Sequence, residues 1–313
     1  MRLGSDHVRV RVPATSANLG PGFDSLGLAL AHHDEIEVRA LGSTQVVVEV
    51  TGEGADDLPA GEDHLVVRAI RAALDHVGAP QVGLHLVCHN AIPHGRGMGS
   101  SASAVVAGIL AARLLIGDPD ALDDHTALQI ANAFEGHPDN AAPALLGGVT
   151  VAWTDDQGAR ASVLPVHPEV VPLVLVPVER CATRTARGVL PATVPHADAA
   201  WTAGRAALLV QALCHRPDLL LPATGDRLHQ DYRAGVMATT VELVRGLRAA
   251  GEAAVVSGAG PSVLVLTTVS TIGRAEAAVA ELLGPSGPDG TTRSGWRVLR
   301  PGIARTGARA VRV

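Results

Sequence analysis

The sequence predicts a mixed α/β chain in two parts, divided near residue 158. Three observations predict it. Strand-like and helix-like periods alternate along the chain; a strand, a glycine loop and a helix succeed one another between residues 83 and 116; and the alternation restarts after a turn at 155–158. With 313 residues and 47% hydrophobic content, there is enough apolar surface for a substantial core.

In chain order, Val8, Val10 and Val12 alternate with Arg9 and Arg11, the period of a strand with one wet face, and the run ends at Pro13. A polar loop, ATSANLGPGFDSLG, follows, and residues 35–40 and 45–50 read as strands. Apolar residues at helical spacing over 63–77 stop before Gly78, and 83–88 is a short strand. From Gly95 the chain is rich in glycine, then in small residues, entering a helix that reaches about Ile116 and ends at GDPD. A helix over 126–134 breaks at Glu135-Gly136-His137-Pro138. A shorter helix starts near Asp139 and stops at Gly147-Gly148, before the strand VTVAW. Beyond residue 158, strands are expected at 170–178, 253–257 and 262–267, and helices at 199–214, 236–250 and 273–283. A polar loop at 286–295 precedes the last strand.

Composition narrows the function. The net charge is −6 and every basic residue is an arginine, spread along the chain, so no nucleic-acid partner is expected. Without lysine there is neither a Walker-type phosphate lysine nor a Schiff base. Aromatic residues, at 2%, supply no stacking platform or membrane belt. The apolar run 102–117 is interrupted by Arg113 and too short to span a bilayer, so no membrane partner is expected either. Cys88, Cys181 and Cys214 are far apart and odd in number, and the N-terminus lacks an apolar signal core, both of which fit a cytoplasmic location.

The stretch Pro93-His94-Gly95-Arg96-Gly97-Met98-Gly99-Ser100-Ser101-Ala102-Ser103 is the most informative. Alternating glycines let backbone approach a ligand, and the helix starting at the serines adds its dipole and unpaired N–H groups, so phosphate is the natural guest. Two rivals exist. Gly97, Gly99 and Ala102 also fit G-x-G-x-x-A with Asp118 as a ribose acid, although no second strand precedes Asp118; or the glycines and serines merely start a buried helix. Glu135 ends a helix, where the dipole disfavours an acid, and asks for a cation that magnesium would supply. Asn18 and Asp24 lie in a loop where turn residues are common, and Asp139 with Asn140 reads equally as an N-cap pair or as catalytic. Gly258 and Gly260 sit between two apolar strands, as a tight turn or as a backbone contact for a ligand. His85, Cys88 and His89 have a metal-like spacing, but on a strand residue 88 points away from the other two.

Four segments, VRVPATSANLGPGFDSLGLAL, PHGRGMGSSASA, FEGHPDNAAPALLGGVTVAW and VVSGAGPSVLVL, resemble in order and spacing the signature blocks of the GHMP kinases. The first is most similar to that of the homoserine kinases. The resemblance covers nearly the whole chain. It implies an N-terminal ribosomal-protein-S5-domain-2-like domain over 1–158, a C-terminal ferredoxin-like domain over 159–313, and ATP and substrate bound between them. It implies that Pro93, His94, Gly95, Arg96, Gly97, Met98, Gly99, Ser100, Ser101, Ala102 and Ser103 wrap the triphosphate, and that Ser101, or its neighbour Ser100, holds Mg2+ with Glu135. Met98 stands where the family commonly has leucine, a volume-conserving change.

For L-homoserine, the resemblance implies Asp24 and Asn18 at the ammonium and Arg187 and Arg233 at the carboxylate, with His137, Asn140, Thr183 and Gly260 completing the substrate site. Asn140, Glu135 and Ser101 form the implied catalytic set, Asn140 orienting the hydroxyl and Asp139 playing a structural or secondary part. The expected activity is ATP-dependent phosphorylation of L-homoserine to O-phospho-L-homoserine in threonine biosynthesis, and the resemblance allows a homodimer. The alternatives are a relative acting on mevalonate, a sugar or shikimate, a catalytically silent ATP-binding relative, and an NAD-binding oxidoreductase.

Overall fold

A computed structural model describes residues 2–287 and 289–313. The chain runs β1 (His7–Ala17), β2 (Leu26–Leu41), β3 (Val46–Gly52), α1 (Leu65–His76), β4 (Gly83–Asn90), α2 (Ser100–Leu115), α3 (Asp124–Glu135), α4 (Ala141–Leu146), β5 (Val149–Asp155) and β6 (Gly158–Leu164). It continues β7 (Val170–Val176), α5 (Thr183–Gly188), α6 (His196–Cys214), α7 (Leu220–Ala223), α8 (Ala238–Ala249), β8 (Ala253–Val256), β9 (Val263–Thr268), α9 (Ile272–Leu283), β10 (Arg297–Leu299) and β11 (Arg309–Arg312). Among the described residues no helix is long and apolar enough to cross a membrane.

The expected mixed α/β architecture is present as two sheets. In the first, β11, β1, β2, β4 and β3 lie side by side, and β5 with β6 extends the early half of β2. Val8, Val10 and Val12 are fully buried beneath α1 and α2, while Arg9 and Arg11 stay exposed, as their alternation predicts. Each such valine contributes about 1.5–3 kcal/mol by burial. In the second sheet, β10, β7, β9 and β8 pair antiparallel throughout. Helices α8 and α9 cover one face of it. Its other face packs Val174, Val255 and Leu264 against Leu28, Leu30, Ile92 and Met98 of the first half, and this shared core underlies the cleft.

Three expectations change. The first strand does not stop at Pro13: a register shift between Pro13 and Ala14 accommodates the missing donor, and the strand continues to Ala17. Strand β2 begins at Leu26 rather than 35, because LGLAL is covered on both faces and so shows no alternation. The division into 1–158 and 159–313 does not follow the sheets. The turn at 155–158 closes a hairpin, with β6 paired to β5 from Asp155↔Gly158 to Val149↔Leu164, and β11 returns to pair with β1.

Candidate active site

The cleft opens where the 95–102 segment meets the turn between β8 and β9 and the end of β1. Gly95, Gly97 and Gly99 all have left-handed backbone, with φ of 66°, 71° and 68°. A Cβ on Gly99 would fall 1.8 Å from Thr15 Oγ1, and one on Gly97 2.2 Å from the Ser257 carbonyl, so glycine is required twice over. The loop's carbonyls are taken by the scaffold. Thr15 N–H donates to Met98 O (3.0 Å), Cys181 N–H to Gly95 O (2.9 Å) and Ser257 Oγ to Gly97 O (2.6 Å). Gly99 begins α2 with no side-chain cap, which leaves the N–H groups of Ser100, Ser101 and Ala102 without intrahelical partners at the cleft wall.

Helix α3 ends across the cleft at Glu135, where Gly136 turns the chain in left-handed geometry. Ser101 Oγ donates to Glu135 Oε1 at 2.5 Å. A hydroxyl and a carboxylate oxygen brought together beside an uncapped helix start are donors of the kind Mg2+ takes, an ion that uses few protein oxygens and completes its shell with water and phosphate. A cation here also relieves the acid at a helix C-terminus, so the residues fit the ion.

Charged side chains gather at the other end. Asn18 and Asp24 both have left-handed backbone, at φ 67° and 55°. Asn18 Oδ1 accepts the Asp24 N–H at 3.0 Å, and its Nδ2 donates to Gly258 O at 2.9 Å. From α5, Arg187 grips Asp24 through two bonds, Nη2 to Oδ1 at 2.5 Å and Nη1 to Oδ2 at 3.2 Å, over the Phe23 ring. Burial opposes the charge of Arg187, but the Asp24 carboxylate outweighs it and raises its pKa. His137 Nδ1 lies 2.6 Å from Asp139 Oδ1; burial again opposes the charge, and Asp139 raises the pKa overall. Asn140 is held at both ends, its Nδ2 donating to Asp139 Oδ1 (3.3 Å) and its Oδ1 accepting from Thr15 Oγ1 (2.8 Å). Among the described residues, Asp24, His137 and Asp139 are the one group of three His, Cys, Asp or Glu side chains whose possible metal-ligand atoms lie within 4.8 Å of one another. Both carboxylates are already engaged, Asp24 by Arg187 and Asp139 by His137 and Asn140.

Most of the residues expected from the sequence line this one cleft: Asn18, Gly95, Gly97, Met98, Gly99, Ser100, Ser101, Ala102, Glu135, His137, Asn140, Thr183, Arg187 and Arg233. Asp24 joins it through Arg187. Five others do not open on it. Pro93 is buried upstream, and His94 lies against Asn90. Arg96 turns away to the carbonyls of Pro177 and Val178, because the left-handed glycines on either side reverse its direction. Ser103, one turn into α2, is buried with its hydroxyl on Pro13 O. Gly260 packs between Met237 and Gly97, and Gly258 and Ala259 border the cleft in its place. Met98 sends its side chain into the core. Arg233 is only 1% exposed and already donates to Gly258 O (3.0 Å) and Ala186 O (3.3 Å); burial lowers its pKa to about 10, so it stays charged at neutral pH. Thr15 and Ser257, which pin the loop and Asn140, are not singled out by the sequence: Thr15 falls in what reads as a polar loop and Ser257 at the end of an apolar strand, and neither residue type there signals its partner.

Comparison with known proteins gives the family. Residues 64–148 match the GHMP kinases N terminal domain. The homoserine kinase of Streptomyces coelicolor is 54% identical over 271 residues, 86% of this chain and 87% of that protein. The homoserine kinase of Streptomyces avermitilis is 50% identical over 302 residues, 96% and 94% of the two chains. The crystal structure of homoserine kinase from Cytophaga hutchinsonii has the same two-domain fold, with a TM-score of 0.83 at 25% identity over 98% of each chain.

Proposed function

Because the chain belongs to the homoserine kinases, a family within the GHMP kinases, we propose that this cleft transfers the γ-phosphoryl group of ATP to the side-chain hydroxyl of L-homoserine, with the following division of labour. The product, O-phospho-L-homoserine, belongs to threonine biosynthesis.

The triphosphate rests on the amides between Gly97 and Ala102 and on the positive end of α2, which substitute for the lysine the chain lacks. Ser101 and Glu135 would hold Mg2+, which supplies charge neutralisation at the phosphate oxygens. Asp24 and Asn18 receive the ammonium group and Arg187 the carboxylate, with Arg233 beside it. The zwitterion suits this pair because it offers Asp24 a cation and Arg187 an anion in exchange for each other. Asn140, fixed by Thr15 and Asp139, orients the hydroxyl toward the γ-phosphorus. In a loose transition state the attacking oxygen loses its proton late, so positioning suffices. Asp139, already bonded to His137 and Asn140, serves as their anchor. The free thiols of Cys88, Cys181 and Cys214 support a cytosolic setting.

The observation that carries this reading is the meeting, in one cleft, of an uncapped helix start and an Asp–Arg pair matched to an amino-acid zwitterion. The test is ADP release, followed by coupled assay, with L-homoserine, mevalonate, shikimate and a hexose. Homoserine should exceed every other alcohol by about 100-fold or more in kcat/KM, since only a zwitterion offers both Asp24 and Arg187 a new partner when their mutual bonds open. Equal or faster turnover of another alcohol overturns the assignment.

A further inference from the structure

We propose that His229, which contacts neither ligand, is a positioning residue that holds Arg233 and through it fixes the three segments forming the alcohol end of the cleft. The proposal rests on the reading of that end as the homoserine site.

His229 is fully buried, in the segment that leads into the turn carrying Arg233. Both ring nitrogens are engaged: Nε2 lies 2.7 Å from Gly20 O, and Nδ1 lies 2.9 Å from Arg233 Nη1. A carbonyl only accepts and a guanidinium only donates, so Nε2 carries the hydrogen and Nδ1 is the acceptor. The ring stacks on Phe23, with centroids 5.0 Å apart. The charged groups around it are Asp226, whose Oδ2 is 3.7 Å from Nε2, Arg233, and Asp24 from the neighbouring loop. Burial pulls its pKa below the usual range and keeps Nδ1 free to accept.

The bonds then radiate outward. Arg233 donates to Gly258 O, which also receives Asn18 Nδ2, and to Ala186 O, next to Arg187. Asp226 accepts the N–H groups of Leu228, His229 and Gln230, and Gln230 Oε1 accepts Val256 N–H at the end of β8. The loop bearing Asn18 and Asp24, helix α5 bearing Arg187, and the β8–β9 turn are thus tied to one ring. An apolar side chain could fill the same space, but it would leave Gly20 O and one of the two Nη1 hydrogens of Arg233 unpaired, the other staying on Gly258 O.

Two substitutions separate a tether from a filler. His229→Asn keeps an acceptor near the Nδ1 position, and His229→Gln keeps a donor near the Nε2 position. His229→Gln should raise the homoserine KM about tenfold or more, with kcat and the ATP KM within about twofold of the parent, and His229→Asn should recover most of the loss. Equal effects from the two variants, or an ATP KM that rises with the homoserine KM, would overturn the proposal. Should neither variant fold, 15N NMR of the imidazole in the parent protein at pH 7 decides it: a protonated Nε2 with a bare Nδ1 is expected, and the opposite tautomer or a doubly protonated ring refutes it. If the parent turns over a different alcohol, it is the homoserine assignment that fails, and the same comparison is made on the alcohol accepted.

Discussion

In the proposed reading, one end of the cleft recognises phosphate through the backbone of residues 97–102, whereas the other recognises the alcohol through the side chains of Asp24, His137, Asn140, Arg187 and Arg233. The two constructions differ in what they tolerate. A backbone cradle carries its charge in dipoles fixed by φ and ψ, so it is indifferent to side-chain charge and intolerant of added volume. A network of paired side chains has room to exchange partners, yet the loss of one charge strands its neighbour. The arginines follow the same division: Arg96 in the glycine loop points away from the cleft, while Arg187 and Arg233 line it.

The largest effect should come from volume at the cradle. Gly99→Ala places a Cβ against Thr15 Oγ1 in left-handed backbone, and kcat/KM for ATP should fall about 1,000-fold while circular dichroism reports a retained fold. Next, Ser101→Ala and Glu135→Gln should each lower kcat about 100-fold and shift Tm by no more than about 2 °C, because both side chains lie at the cleft wall and outside the core. At the alcohol end, Arg187→Ala should raise the homoserine KM about 30-fold and leave the ATP KM unchanged. A matching rise in the ATP KM would move Arg187 to the phosphate end and erase the contrast. Thr15→Val removes the hydroxyl holding Asn140, and kcat should fall about tenfold at constant KM.

The smallest expected effect concerns stability. Asp34 Oδ1 accepts the N–H groups of Ala91 and Ile92, just ahead of the glycine loop. Burial raises its pKa from 3.8 to about 6, against the pull of those two bonds. The folded chain therefore holds this proton more tightly than the unfolded chain. The stabilisation is fully present below about pH 3.8 and is lost as pH rises through about 6. Asp34→Asn keeps an acceptor for both N–H groups, and should flatten the fall in stability between pH 4 and 6 by about 2 kcal/mol, read from urea midpoints. An unchanged slope would remove Asp34 from the loop's support.

The two ends were also unequally legible in the sequence. Gly95, Gly97 and Gly99 announce themselves because alternating glycines before a helix start offer open backbone to a phosphate, even with two rival readings beside it, and Glu135 stands out as an acid at the wrong end of a helix. Asp24 and Arg187 had to be located by resemblance, because a single Asp in a loop or Arg on a helix carries no chemical signal by itself. The pairings of the tethers were not legible at all. Thr15 meets Asn140 across 125 positions, Ser257 meets Gly97 across 160, and His229 meets Gly20 across 209. For the fold the same distinction holds. The Val8-Val10-Val12 strand follows from its local period, whereas β6 and β11 belong to the first sheet through pairings that no local period encodes.

The most direct test is a crystal structure with a non-hydrolysable ATP analogue and homoserine bound together. Phosphate oxygens should lie within about 3.2 Å of the amide nitrogens between Gly97 and Ala102, with no arginine side chain needed to complete their coordination. Phosphates clasped by arginine side chains, with those amides bonded to water, would contradict it.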